Sequence, residues 1–134
     1  MIKHVKFHHY GLAVKTFKDA ISFHKNIGYS FSDEIFDKLQ NVMLLLCTSE
    51  KYPSVELVKP VHGDNPINNY LKKNNEIIYH ICYEIDTKYL SIDDFFSRNR
   101  FLCVSKPKPA VLFNNRLVSF YYLNNVGLVE LLEK

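Results

Sequence analysis

Alternation with a period of two marks several segments of this chain and predicts strands. From Lys6 to Val14, Phe7, His9, Gly11 and Ala13 fall on one side, and His8, Tyr10, Leu12 and Val14 on the other. The second side is bulky. The first, past Phe7, is a histidine and two very small residues, as the floor of a cavity would be. Tyr79 to Asp86 alternates in the same way, with Tyr79, Ile81, Tyr83 and Ile85 on an apolar face and His80, Cys82 and Glu84 opposite. Further strands are predicted over 29–36, 42–47, 54–58, 101–106, 116–123 and 127–132, with turns at 38–41 and at Asn124-Asn125 and a proline-marked loop at 106–109.

Three segments read as helices instead. Phe17, Ala20, Ile21 and His24 recur at helical spacing, so 16–27 is predicted helical, with Thr16 and Asp19 as a capping box and Gly28 as the terminating residue. Within 61–76 a linker helix is predicted, with Asn65 as its cap, Pro66 at its first position, and Lys72 and Lys73 complementing its C-terminal dipole. The third, 91–99, opens on Ser91 with Asp94 three residues on.

Read in order, the elements repeat: strand, helix and three strands, twice. The match extends to residues. His9-Tyr10-Gly11-Leu12-Ala13-Val14 aligns with His80-Ile81-Cys82-Tyr83-Glu84-Ile85, and Val55-Glu56-Leu57 aligns with Val129-Glu130-Leu131. The histidines are 71 positions apart (80 − 9) and the glutamates 74 (130 − 56). The expected organisation is one domain over 1–134, with module one at about 4–60, the linker at 61–76 and module two at about 77–134.

Each module thus supplies one histidine from its first strand and one glutamate from its fourth. Singly, each is explained by an ordinary role: a hydrogen-bonded core histidine, or a solvent-facing carboxylate on a half-buried strand. Four such roles recurring at matched positions is a weaker account than one shared role. Two neutral nitrogens and two anionic oxygens related by a pseudo-twofold form a divalent metal site. They suit Zn²⁺, Ni²⁺, Co²⁺, Mn²⁺ or Fe²⁺ and leave room for water or substrate oxygens.

Composition narrows the class further. With 47% hydrophobic and 23% charged residues the chain is expected to be globular, and no apolar run reaches the ~18 residues of a membrane span. No signal peptide is read at the start. Cys47, Cys82 and Cys103 are an odd number without a CxxC pair, which suits a reducing, cytoplasmic setting. The net charge of +3 is spread out, without a basic helix face or basic–aromatic cluster, so nucleic acid is not an expected partner.

The segments HHYGLAV at 8–14, VELVKP at 55–60, YHICYEID at 79–86 and VELLEK at 129–134 resemble the vicinal-oxygen-chelate superfamily, which includes glyoxalase I and the methylmalonyl-CoA epimerases. The stretch HGDNPINNYLKKN at 62–74 resembles the linker of the epimerase-like members. The resemblance covers essentially the whole chain. It implies an α+β fold of paired βαβββ modules forming a curved mixed sheet around a central cavity. It also implies His9, Glu56, His80 and Glu130 as ligands of one divalent ion per site, Zn, Ni, Co or Mn. Glu130 would be the principal base and Glu56 its partner, acting on a metal-chelated small carbonyl compound or acyl thioester as an isomerase, epimerase or lyase. A homodimer is implied as well. Two other readings stand on the same fold: a non-catalytic binding or resistance protein, and a metal-dependent dioxygenase. One position departs from the epimerase pattern. The third strand of module one carries Leu44 where those enzymes place a second acid/base glutamate, and Glu34 and Asp37 are carboxylates nearby in sequence.

Overall fold

The alternating segments become strands in a computed structural model, which describes residues 2–134. The elements are β1 (Val5–Val14), α1 (Lys18–Asn26), β2 (Ser30–Phe31), β3 (Ile35–Asp37), β4 (Val42–Thr48), β5 (Ser54–Pro60) and α2 (Asn68–Leu71). There follow β6 (Glu76–Ile85), α3 (Ile92–Phe95), β7 (Leu102–Ala110), a 3-10 turn (Val111–Phe113), β8 (Arg116–Leu123) and β9 (Gly127–Glu133). The nine strands among the described residues pair in both parallel and antiparallel fashion, with few and short helices. No helix among the described residues is long and apolar enough to cross a membrane.

The chain divides into two compact units. The first is His9–Tyr79, in which the strand order is β2-β4-β5-β1 and β3 pairs with β4. Strands β1 and β5 run parallel and β4 and β5 antiparallel. Its core lies on the α1 side of the sheet, where Val14, Phe17, Tyr29, Leu45, Cys47, Val55 and Leu57 are buried together. The second unit is His80–Lys134 with residues 2–8, in the order β6-β9-β8-β7. Strands β6 and β9 are parallel, and β8 is antiparallel to both β9 and β7. Ile85, Phe96, Tyr121, Leu123, Val129 and Leu131 form its core. In both units odd and even strand positions are thereby committed: one set to the core, the other to the opposite face.

Local chemistry accounts for the agreements and the departures. Helix α1 ends as Gly28 dictates. At φ +101° it allows the Gly28 amide to bond the Lys25 carbonyl (3.1 Å) and the Tyr29 amide to bond the His24 carbonyl (3.0 Å), a Schellman closure. Its start differs from expectation: Phe17 occupies the cap, no side chain caps the helix, and Thr16 lies one residue outside. Burial of Phe17 in the core, at 3% exposure, fixes the entry instead. The expected strand over 29–36 is broken. The Ser32 amide still donates to the Leu46 carbonyl (2.9 Å), but the Leu46 amide donates to the Ser32 hydroxyl (2.9 Å), so a side chain takes the place of a backbone acceptor between β2 and β3. Asn65 does not cap a helix directly. Its Oδ1 accepts from the Ile67 amide (3.1 Å) in an Asx turn, and the linker's helix is the single turn Asn68–Leu71. Ser91 caps α3 as expected, accepting from the Asp94 amide at 3.0 Å, but the helix ends at Phe95. The expected loop at 106–109 is strand: β7 runs through Pro107 and Pro109 because it is an edge strand, where a missing N–H is tolerated.

Candidate functional site

Strand register decides which side chains can meet. In the first unit β1 and β5 are parallel, with Gly11 beside Glu56 and His9 beside Ser54. Paired residues share a face, so Glu56 lies diagonally across from His9, two positions along. Gly11 has no side chain to stand between them. His9 Nε2 is 3.7 Å from Glu56 Oε2, and both residues are buried. The second unit repeats the construction. Cys82, again small, sits beside Glu130, with His80 two positions back along β6. His80 Nε2 is 3.3 Å from Glu130 Oε2, and both are buried. The matched spacings in sequence are thus one register used twice.

These faces are opposite the helix-covered cores. Leu46 stands across from Glu56 and Leu44 across from Val58 on the first. On the second, Phe120 stands across from Glu130 and packs edge-on against the His80 ring, with centroids 5.5 Å apart at 88°. Its contact with His80 follows from register, which the sequence pattern of a single strand does not carry.

Burial shapes the ionisation. The His80 imidazole is pushed down from its ordinary 6.5 to about 3 by desolvation, despite the carboxylate oxygen 3.3 Å away. It is therefore neutral near pH 7 and keeps a nitrogen lone pair for donation. That is the form in which histidine binds metals. His9, Glu56, His80 and Glu130 are all buried, and each offers one ligand atom of a type that holds divalent ions. The donor chemistry fits such an ion.

Other carboxylates are diverted. Glu34 pairs with Lys59 at 3.9 Å, and the Lys59 ammonium lies 4.5 Å from the centre of the Phe17 ring, on the α1 side. Asp37 is buried, but its oxygens accept from the Leu39 amide (2.9 Å), the Gln40 amide (3.3 Å) and Gln40 Nε2 (3.0 Å), closing the β3–β4 turn. Neither compensates for Leu44, which is itself buried. In the second unit Glu84 accepts from Arg116 Nη2 at 2.6 Å, and Arg116 Nε donates to the Glu133 carbonyl at 2.9 Å.

The remaining histidines have separate settings. The His8 ring meets Phe113 edge-on at 5.2 Å; burial lowers its pKa, Glu84 raising it and Arg116 lowering it to a smaller extent. His24 Nδ1 bonds the Ala20 carbonyl at 2.7 Å within α1, and His4 stacks on Tyr89 at 4.8 Å. His62 is exposed, and its carbonyl accepts from Asn41 Nδ2.

Residues 8–120 match the family model of the glyoxalase/bleomycin resistance protein/dioxygenase superfamily. The chain belongs to that superfamily. Among its relatives, the mitochondrial methylmalonyl-CoA epimerase of Dictyostelium discoideum is 26% identical over 132 residues, covering 96% of this chain and 78% of that protein. The superfamily fold recurs in solved structures. A hypothetical protein from Bacillus halodurans C-125 superposes with a TM-score of 0.80 at 23% identity, covering 98% of this chain and 96% of that one. The methylmalonyl-CoA epimerase of Mycobacterium tuberculosis has a TM-score of 0.75 at 19% identity, covering 95% and 86%. A Streptomyces coelicolor methylmalonyl-CoA epimerase variant in complex with 2-nitronate-propionyl-CoA has a TM-score of 0.75 at 18% identity, covering 96% of each chain.

Proposed function

We propose that this superfamily member is a metal-dependent isomerase, epimerase or lyase. It would move a proton next to a chelated carbonyl oxygen of a small molecule or acyl thioester. The observation that carries the reading is the duplicated His–Glu register, His9 with Glu56 and His80 with Glu130, buried in both units. In this reading the two pairs hold one divalent ion, and the epimerase relatives support the thioester as a substrate class.

When bound, the ion would supply Lewis-acid polarisation of the substrate oxygens. The protein's residues do the rest. His9 and His80 donate neutral nitrogens. Glu130 takes the proton, and Glu56 is its partner in returning one. Burial excludes bulk water from both carboxylates and strengthens their electrostatic influence. Phe120 holds one edge of His80 in place. A homodimer in a reducing, cytoplasmic setting belongs to the same proposal.

A second reading is favoured by Leu44 and by the diversion of Glu34 and Asp37: a small-molecule binder that retains the pairs without turnover. Elemental analysis after reconstitution, with an assay on hemithioacetals and methylmalonyl-type thioesters, separates the two. The enzymatic reading expects one metal equivalent per site in the wild type, its loss in His80→Ala, and retained metal without turnover in Glu130→Gln. Near wild-type turnover in Glu130→Gln sinks the base assignment. Failure to bind any metal after reconstitution leaves the binder.

A further inference from the structure

Among the described residues, strand β7 ends its sheet, with no strand beyond it. Its first half is apolar and open: Leu102 is 66% exposed and Val104 57%. Cations flank that half on both sides. Arg98 and Arg100 precede it, and Lys106 and Lys108 follow. Arg98, Arg100 and Lys106 are exposed and Lys108 is half-buried, and none of the four makes an ion pair among the described residues. The second half is guarded in the usual ways of an edge strand, by lysines, by Pro107 and Pro109, and by a register shift between Ser105 and Lys108. Leu102 to Val104 carries neither lysine nor proline; a single register shift, at Val104, is its one guard.

Charge decides what fits this edge. Two copies paired antiparallel about Cys103 would set Lys106 against Arg100 and Lys108 against Arg98. Like charges directly opposite destabilise a strand pair. A strand with an apolar centre and acidic flanks meets the reverse situation, with opposite charges at both ends and apolar side chains beside Leu102 and Val104. We propose that the β7 edge receives an extended acidic segment of a partner protein by strand addition. The exposed backbone groups of Leu102–Ser105 supply the main-chain bonds, and the four cations supply the selectivity. The missing N–H groups of Pro107 and Pro109 set its limit. The pairing is short, so the interaction is transient. It is independent of the metal reading and survives that reading's failure.

The test uses the full chain and a fluorescein-labelled peptide, Glu-Glu-Val-Ile-Val-Glu-Glu, read by fluorescence polarisation and amide hydrogen exchange. Saturable binding is expected, with slowed exchange confined to Leu102–Ser105. Affinity should fall about tenfold or more when the peptide's glutamates are replaced by lysines, or in the double variant Arg100→Glu, Lys106→Glu. Both substitutions are at exposed positions, so the fold is retained; circular dichroism checks this. Three outcomes overturn the proposal. One is no binding. Another is equal competition by heparin without protection of 102–105, the mark of a general polyanion surface. The third is self-association abolished by the double variant, which would make a second copy the occupant.

Discussion

Acidifying the metal-free protein from pH 7 to pH 5 should cost it stability through His80. The folded-state pKa is depressed, from 6.5 to about 3, because the buried ring has little solvent to support a charge. The unfolded chain then takes up a proton that the folded one refuses. The stabilising contribution is complete above pH 6.5 and is lost progressively as pH falls toward 3. A tenfold change in proton affinity is worth about 1.4 kcal/mol, so the whole fall amounts to at most about 5 kcal/mol. Roughly 2 kcal/mol of it is lost by pH 5. Other groups titrate in the same range, so the measurement is a difference: urea denaturation of wild type and His80→Asn, both with chelator, at several pH values. The advantage of wild type over the variant should shrink by about 2 kcal/mol between pH 7 and pH 5. The His80 ring should show no titration by NMR down to about pH 4. An advantage that grows on acidification would refute the reasoning. It would mean that the Glu130 carboxylate, 3.3 Å away, outweighs burial and holds a charged imidazole.

Three further outcomes follow from the packing. Gly28→Ala should destabilise by about 1 kcal/mol in thermal or urea unfolding. Its φ of +101° penalises an L side chain although a Cβ there meets nothing within 4 Å. Leu57→Ala, which empties a fully buried position in the α1-side core, should cost about 2–5 kcal/mol. Thiol labelling at pH 8 should show one fast equivalent, Cys103, because it is exposed, whereas Cys82 is buried and the Cys47 thiol is pushed up to about 12 by burial; three fast equivalents would contradict the packing.

Strands were legible in this sequence because their signal is local. Alternation between Lys6 and Val14 or between Tyr79 and Ile85 requires only that the two faces of one strand differ, and the structure places β1 and β6 there. Signals that depended on a single side chain fared unevenly. Ser91 caps its helix, whereas Thr16 does not, because burial of Phe17 outranks a marginal cap. Proline at 107 and 109 read as loop because a central strand would reject it; only the sheet order shows that β7 is an edge. The His–Glu pairs were visible through the repeat. The reason each pair meets was not, because it lies in register: Glu56 beside Gly11 and Glu130 beside Cys82. The small residues were present in the alignment of the two modules, and their shared place in it was the available clue.

Within each unit the face bearing a His–Glu pair carries few other groups able to move a proton. Strands β4 and β8 present Leu44, Leu46, Val118 and Phe120 to it, by the pairings of Val58, Glu56, Leu132 and Glu130. Glu84 lies on the same face of β6 as Cys82 but is engaged by Arg116 at 2.6 Å. Glu34 and Asp37 are committed elsewhere. In the proposed reaction, proton transfer therefore falls to Glu56 and Glu130, the same carboxylates that would ligate the ion. In that reading a base that is also a ligand would bind the ion less strongly once protonated, because protonation removes its charge. Catalysis and metal retention would then be coupled. Turnover should be more sensitive than metal content to removal of Glu130's charge, and a chain with Glu at position 44 would relieve the coupling by supplying a carboxylate on the Glu56 face that owes nothing to the ion.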